Sequence, residues 1–287
     1  MQQNAQQSVQ QNHAISWLQQ WLKLSLLMQQ DGATLCMPEL HALAAIAPEQ
    51  RFIIGLSGAQ GSGKTSLARA LQQLWQNAGL GTAIVSLDDY YLSVTARQAR
   101  ADTWHPLFAE RGVPGTHDSR ALYQHLAEFR RGEQLSLCRY DKGLDQPAEP
   151  VRCSAKTRLL ILEGWCVGVE AQSDADLATP VNRMEQQQDA AGQWRTKVNQ
   201  LLLSDYQPIW ALLDQLIWLN APDWQAVCRW RAWQELPLQQ LGQGKTAAEL
   251  DHFMHYFQRL TLASWQQLPD KADFILQLDQ EHRFSLQ

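Results

Sequence analysis

The residues with the clearest chemistry are Gly58-Ala59-Gln60-Gly61-Ser62-Gly63-Lys64-Thr65. They fit the phosphate-loop pattern of two glycines five apart followed by Lys and Thr. Small, flexible residues let such a loop turn its backbone N–H groups inward around a phosphate chain. Lys64 adds a point charge, and the Thr65 hydroxyl is suited to Mg²⁺. The apolar run 51–57 reads as a strand entering the loop, and residues from Ser66 to Trp75 have helical spacing after it. A helix starting at the loop supplies further donors from its N-terminus, so residues 58–66 are the candidate binding segment for a nucleoside triphosphate, with ATP the expected one. Gly244-Lys245-Thr246 repeats only the last three letters of the motif. Gln239 stands where the first glycine belongs and no apolar strand precedes it, so this second copy predicts an ordinary polar loop.

Phosphoryl transfer also needs metal ligands, a group to orient or deprotonate the acceptor hydroxyl, and cations on the moving phosphoryl. Two acidic sites stand at predicted strand ends. Asp88-Asp89-Tyr90-Tyr91 follows the apolar run 82–87. Adjacent side chains at a strand end face different ways, so one carboxylate is expected to point at the site. Asp88 is the candidate general base. Glu163-Gly164 ends the run 158–163, where an unpaired buried carboxylate would be costly. Mg²⁺ held between Glu163 and Thr65 is the natural explanation.

Three polar segments remain. Arg111-Gly112-Val113-Pro114-Gly115-Thr116-His117-Asp118 is a turn-rich loop in which Asp118 suits a helix cap and His117 suits either a structural or a substrate role. In Arg139-Tyr140-Asp141-Lys142, Arg139 and Lys142 suit an anionic substrate group and Tyr140 a hydroxyl; a plain solvated loop has the same composition. Arg229 and Arg231 lie on a predicted helix ending before Pro237, about 160° apart around its axis, so at most one serves a closing lid. Arg231 and Glu235 also form an i,i+4 pair that serves the helix alone. The 12 tryptophans mostly fall at helical spacing and predict packing rather than base stacking.

These segments need a frame. Strands at 51–57, 82–87, 158–163, 215–219 and 274–278 alternate with helical stretches, which predicts an α/β domain with a parallel sheet and helices on both faces. Ligands in such folds sit at the carboxyl ends of the strands, where the phosphate loop and both acidic sites begin. The domain is expected over 51–287, with a polar surface excursion at 171–197. Ahead of it, 13–50 reads as a helical extension with Trp17, Leu18, Trp21, Leu22, Leu24 and Met28 on one stripe, and the Gln-rich residues 1–12 as a disordered tail.

Composition narrows the class. With 287 residues and 45% hydrophobic content, a sizeable core is available. A net charge of −5 without a basic block argues against nucleic acid as the main partner. Five scattered cysteines (Cys36, Cys138, Cys153, Cys166, Cys228) predict reduced thiols and a cytoplasmic setting. No signal peptide and no apolar run long enough to cross a membrane are visible, so no membrane partner is expected. An Asn-Lys-x-Asp base-reading motif is absent, which weighs against a GTPase switch.

Taken in order, the loop at 58–65, Asp88-Asp89-Tyr90-Tyr91, residues 111–118, Arg139-Tyr140-Asp141-Lys142, Glu163-Gly164-Trp165-Cys166 and Arg229-Trp230-Arg231 form a pattern that resembles the D-glycerate 3-kinase family. That family belongs to the P-loop kinases with phosphoribulokinase, uridine kinase and pantothenate kinase, and the resemblance spans about 50–285. It implies a P-loop fold with a helical lid, the cofactors ATP and Mg²⁺, and D-glycerate as the small hydroxyl substrate converted to 3-phosphoglycerate. It makes Asp88 a base or Mg²⁺-linked residue, Glu163 a metal-linked residue and Arg229 or Arg231 the lid arginine. His117, Arg139, Tyr140 and Lys142 then fall in acceptor-side segments. One departure stands out: Asp141-Lys142 runs into Gly143-Leu144-Asp145, where the family continues Asp-Lys-Ser with a longer loop. A nucleoside, pantothenate or sugar acid is the alternative acceptor, and a nucleotide-binding protein or ATPase the alternative class.

Overall fold

The structure, a computed structural model, describes residues 2–31, 37–240, 242 and 244–287, with backbone alone at 2–9, 31 and 238. Cys36 lies outside the described residues.

The chain begins with two helices, α1 (Gln2–Asp31) and α2 (Met37–Ala45). The core then builds from β1 (Phe52–Gly58), α3 (Lys64–Asn77), β2 (Gly81–Ser86), α4 (Val94–Thr103), α5 (Ser119–Arg131), the strands β3 (Ser136–Asp141) and β4 (Gln146–Arg152), and β5 (Thr157–Gly164). Short helices α6 (Asp174–Ala178), α7 (Arg183–Gln188), α8 (Gln193–Leu201) and α9 (Gln207–Trp210) lead into β6 (Gln215–Asn220). Helices α10 (Trp224–Gln240) and α11 (Ala247–Gln267), then β7 (Phe274–Leu278) and β8 (Phe284–Leu286), complete it.

Six strands form one sheet in the order β2-β5-β1-β6-β7-β8, parallel except for β8. All five strands expected from the sequence are in it. They read as unbroken apolar runs because both faces are covered. The alternation of side chains assigns successive residues to opposite layers. Ile53, Leu160, Leu162 and Trp218 pack with α5, α8 and α11 residues such as Leu126, Val198 and Phe257. Phe52, Ile54, Ile161 and Leu219 pack against the layer of α1, α3 and α10.

The extension is part of that second layer. Trp17, Leu18, Trp21, Leu22 and Leu26 are buried with Phe52 and Trp75. Trp17 stacks on Trp21 at 5.5 Å and on Phe52 at 5.7 Å. The Trp75 Nε1–H donates to Ser25 Oγ at 2.8 Å inside the interface. Residues 2–12, within the Gln-rich segment 1–12, form the opening stretch of α1. Glutamine is a good helix former, and here it continues a helix already fixed by its tryptophans.

Two expectations change. The excursion 171–197 carries three short helices pinned by buried ion pairs, Arg259 with Glu185 at 2.6 Å and Arg195 with Asp189 at 3.0 Å. Its polarity reads as surface only until the partners, one of them on α11, are in place. Helix α10 does not stop before Pro237 but runs to Gln240. The Gly-Lys-Thr repeat is an ordinary connection, as expected: Thr246 caps α11 through a capping box with Glu249.

Candidate active site

The phosphate loop leaves the carboxyl end of β1 and wraps into α3. Gly61 (φ 76°) and Gly63 (φ 90°) take left-handed conformations that side chains disfavour. At Gly61 a second constraint applies, because a Cβ there would sit 2.9 Å from Trp230 Cβ and 3.0 Å from the Arg231 backbone nitrogen. Helix α10 thus lies directly on the loop. His282, in the β7–β8 turn, braces the same spot: its Nε2 is 2.9 Å from the Gly61 carbonyl and its ring lies 4.0 Å from that of Trp230.

Three features of the loop match an anion cradle. The Ser62 hydroxyl is buried without a hydrogen-bond partner. Lys64 Nζ donates to the Ala59 carbonyl at 2.9 Å, folded over its own loop. Burial lowers the Lys64 pKa by more than the nearby Glu163 and Asp88 carboxylates raise it, so an incoming anion would relieve a real cost.

Glu163 ends β5 beside the loop and is 4% exposed. Its Oε1 accepts hydrogen bonds from Thr65 Oγ1 at 3.1 Å and Ser86 Oγ at 2.8 Å. Among the described residues no cation lies within ion-pair distance of it. A buried carboxylate flanked by two hydroxyls and lacking a counter-ion fits Mg²⁺. Among the described residues there is no cluster of three metal-ligating side chains. Mg²⁺ at phosphate sites is bound through one or two carboxylates, with waters and phosphate oxygens supplying the rest.

The Asp88-Asp89 pair splits as expected. Asp88 faces the loop, where its Oδ2 accepts from Lys142 Nζ at 2.6 Å. Burial raises the Asp88 pKa, but the Lys142 charge and hydrogen bond, with smaller help from His117 and Lys64, leave it lowered overall. Asp89 faces the other way and accepts from Arg139 Nη1 at 2.9 Å and the Tyr140 backbone N–H at 3.2 Å. The adjacent acids therefore hold two sites on the antiparallel β3–β4 hairpin, the second strand pair of the molecule.

A cavity of about 140 Å³ joins these parts; Lys64, Thr65, Asp88, Lys142, Glu163 and Trp165 are among its lining residues. Of the expected acceptor residues, only Lys142 reaches it. Arg139 is committed to Asp89. Tyr140 is buried in a network in which its hydroxyl accepts from Arg97 Nη1 at 2.9 Å and donates to Asp145 Oδ1 at 2.7 Å. Arg97 and Arg111 both pair with Asp145. His117 is 1% exposed, stacked on Tyr91 at 4.4 Å and paired through Nδ1 with the Tyr206 hydroxyl at 2.7 Å. Burial pushes its pKa down to about 3. Asp118 caps α5, accepting from the Ala121 N–H at 2.9 Å. Neither lid arginine enters the cavity: Arg229 pairs with Gln280, and Arg231 with Glu235.

The residues that sequence reasoning missed are instructive. Gln234 and Trp165 line the cavity. Arg97, Arg111 and Asp145 clamp the hairpin that carries Lys142. Asp145 belongs to the loop noted above as departing from the family pattern, and its positive φ of 52° marks it as conformationally special. No local signal identifies Arg97, whose partners Tyr140 and Asp145 lie 43 and 48 positions away. A second cavity of about 470 Å³ shares Gly61, Gly63, Ser66 and Gln234 with the first and continues between Leu67, Ala70, Leu278 and Phe284.

A phosphate loop at the carboxyl edge of a parallel sheet, facing two carboxylates at neighbouring strand ends, is the frame of a P-loop kinase. Comparison with known proteins agrees. A profile of the phosphoribulokinase/uridine kinase family matches residues 53–180. The chain is 34% identical over 229 residues to the uncharacterized kinase mug58 of Schizosaccharomyces pombe, covering 73% of this chain and 80% of that protein. It is 26% identical over 218 residues to the chloroplastic D-glycerate 3-kinase of Arabidopsis thaliana, covering 71% of this chain but 45% of the plant protein. In shape it is similar to a D-glycerate 3-kinase from Cryptococcus neoformans, with a TM-score of 0.69 at 24% identity over 91% of this chain and 98% of that one. The chain belongs to the phosphoribulokinase/uridine kinase family.

Proposed function

We propose that this kinase transfers the γ-phosphoryl group of ATP to a hydroxyl of a small acidic acceptor, with D-glycerate the acceptor best supported. The observation that carries the reading is the Asp88–Lys142 pair facing Lys64, Thr65 and Glu163 across one small cavity. Asp88 accepts the hydroxyl proton or orients the hydroxyl, and Lys142 beside it offers a cation to an acceptor carboxylate. That cation keeps Asp88 ionised, and its transfer to the substrate carboxylate would raise the proton affinity of Asp88 when a base is needed. Thr65 and Glu163 would hold Mg²⁺, which when bound neutralises charge on the phosphate oxygens. Lys64 leaves the Ala59 carbonyl for the phosphates. The nucleoside is assigned to the 470 Å³ cavity beside the loop, since the other side is taken by the acceptor machinery.

Arg231 is the better lid candidate. It lies three residues before the cavity-lining Gln234, on the same helical face, whereas Arg229 points elsewhere and is tied to Gln280. The Lys142 cation beside Asp88 favours an acceptor that carries a carboxylate over a neutral nucleoside. The similarity to D-glycerate 3-kinases points the same way. The test is release of ADP from Mg²⁺-ATP in the presence of glycerate, pantothenate, uridine and a panel of small sugar acids. Glycerate-dependent turnover with phosphate on its terminal hydroxyl is the expected result. Turnover with uridine or pantothenate alone would replace the acceptor, and ADP release without any acceptor would replace the kinase reading with an ATPase.

A further inference from the structure

The edge strand β2 and the β3–β4 hairpin enclose a separate cavity of about 640 Å³ on the flank of the molecule. Its lining includes Arg139, Arg152, Lys156 and Arg158, and contains no aspartate or glutamate. That is four of the chain's 24 basic residues converging on one cavity in a protein of net charge −5. Two of the four have acidic partners, Arg139 with Asp89 and Arg158 with Glu49, so Arg152 and Lys156 are the cations whose mutual repulsion an anion would relieve.

The individual side chains support this. Among the described residues, Arg152 and Lys156 make no ion pair. Arg158 has a buried Nε without a hydrogen-bond partner, and its nearest acid is the fully exposed Glu49 at 3.6 Å. An unpaired buried guanidinium N–H is costly and marks a place where an acceptor oxygen belongs. Ser154 adds a hydroxyl and Gln72 and Gln76 line the far wall, their amides already donating to the Thr82 carbonyl. These amides close off the edge of β2, so the cavity is shaped for a compact ligand rather than an added strand.

We propose that this cavity is a second, non-catalytic anion site that binds a small metabolite through a phosphate or carboxylate group. Arg139 connects it to catalysis. The same guanidinium holds Asp89, the neighbour of Asp88, and sits on the hairpin that carries Lys142. A ligand that draws Arg139 toward the cavity loosens the Asp89 anchor and shifts the Asp88–Lys142 pair, so the site regulates acceptor binding rather than ATP binding.

The test is calorimetric titration of the full chain with inorganic phosphate and, separately, with citrate, at saturating Mg²⁺-ADP to fill the phosphate loop. The wild type is compared with the Arg152→Glu/Lys156→Glu double variant and with Arg152→Gln, all at exposed positions outside the catalytic cavity. Because these chains share one phosphate loop, their difference reads the flank cavity even if ADP fails to bind. Saturable binding of either anion, weakened at least about tenfold in the double variant and less in Arg152→Gln, is the expected result. Phosphate alone would point to a phosphate ester, citrate alone to a polycarboxylate. No saturable binding, or equal binding in wild type and double variant, would overturn the site. Binding that leaves the acceptor KM of the wild type unchanged would overturn its regulatory role.

Discussion

The proposed donor and acceptor halves of the cleft are built on opposite plans. The donor half is one contiguous segment, 58–66, completed by a single carboxylate at the end of the adjacent strand β5. Its backbone N–H groups, helix N-terminus and Lys64 all come from that one segment. The acceptor half is assembled from the β2 end, the hairpin and the loop before α5. There, most of the polar residues hold one another rather than the cavity: Arg139 holds Asp89, Arg97 and Arg111 hold Asp145, and His117 holds Tyr206. Only Asp88 and Lys142 face inward. A nucleotide site can be carried by a short motif; a site that selects a small hydroxyl is carried by a scaffold that aims two groups.

Substitutions in the two halves should therefore fail differently. Lys64→Ala is expected to have the largest effect, lowering kcat/KM for ATP about 10³-fold, the scale of losing a preorganised charge on the reacting group. Steady-state kinetics with ATP varied checks it, and near-normal activity would remove the phosphate loop from the mechanism. Asp88→Asn should lower kcat by about 10²-fold with ATP binding nearly unchanged. A loss confined to ATP affinity would move Asp88 into the donor half and erase the distinction.

Lys142→Ala should raise the acceptor KM about tenfold while leaving the ATP KM alone, and it has a pH signature. With the Lys142 cation gone, burial is opposed by only the smaller effects of His117 and Lys64, so the Asp88 pKa rises. The acid limb of the kcat/KM profile then moves to higher pH; an unmoved limb would separate Asp88 from Lys142 in solution.

The smallest effect on catalysis is expected at His117, placed with the scaffold rather than the cavity. Its pKa is lowered by burial from 6.5 to about 3, so the unfolded chain takes up the proton first. The stability of the neutral ring is full above about pH 6.5 and is lost as pH falls toward 3. His117→Gln should flatten the decline of Tm across that window in thermal melts and change the acceptor KM by less than about threefold, or about 0.7 kcal/mol. A tenfold change in acceptor KM with an unaltered melting profile would put His117 in the substrate site.

Much of this was legible beforehand. The five parallel strands and their carboxyl-edge site followed from unbroken apolar runs between helical stretches. The divergence of Asp88 and Asp89, the capping role of Asp118 and the emptiness of the Gly-Lys-Thr repeat followed from local geometry. What escaped was non-local. Arg97, Arg111 and Asp145 meet across gaps of tens of residues, and Glu185 needs Arg259 from α11 to be buried.

By itself, the sequence determined that this chain is an α/β protein with a phosphate loop at the start of a helix, because the loop, its strand and its helix are neighbours in the chain and obey local rules. Tertiary structure alone decided which polar residues reach the cleft. Arg139, Tyr140, Asp141 and Lys142 are consecutive, yet only Lys142 enters the cavity. The hairpin alternates its side chains and its distant clamps fix its pose, and neither the pose nor the clamps are written in the four letters themselves.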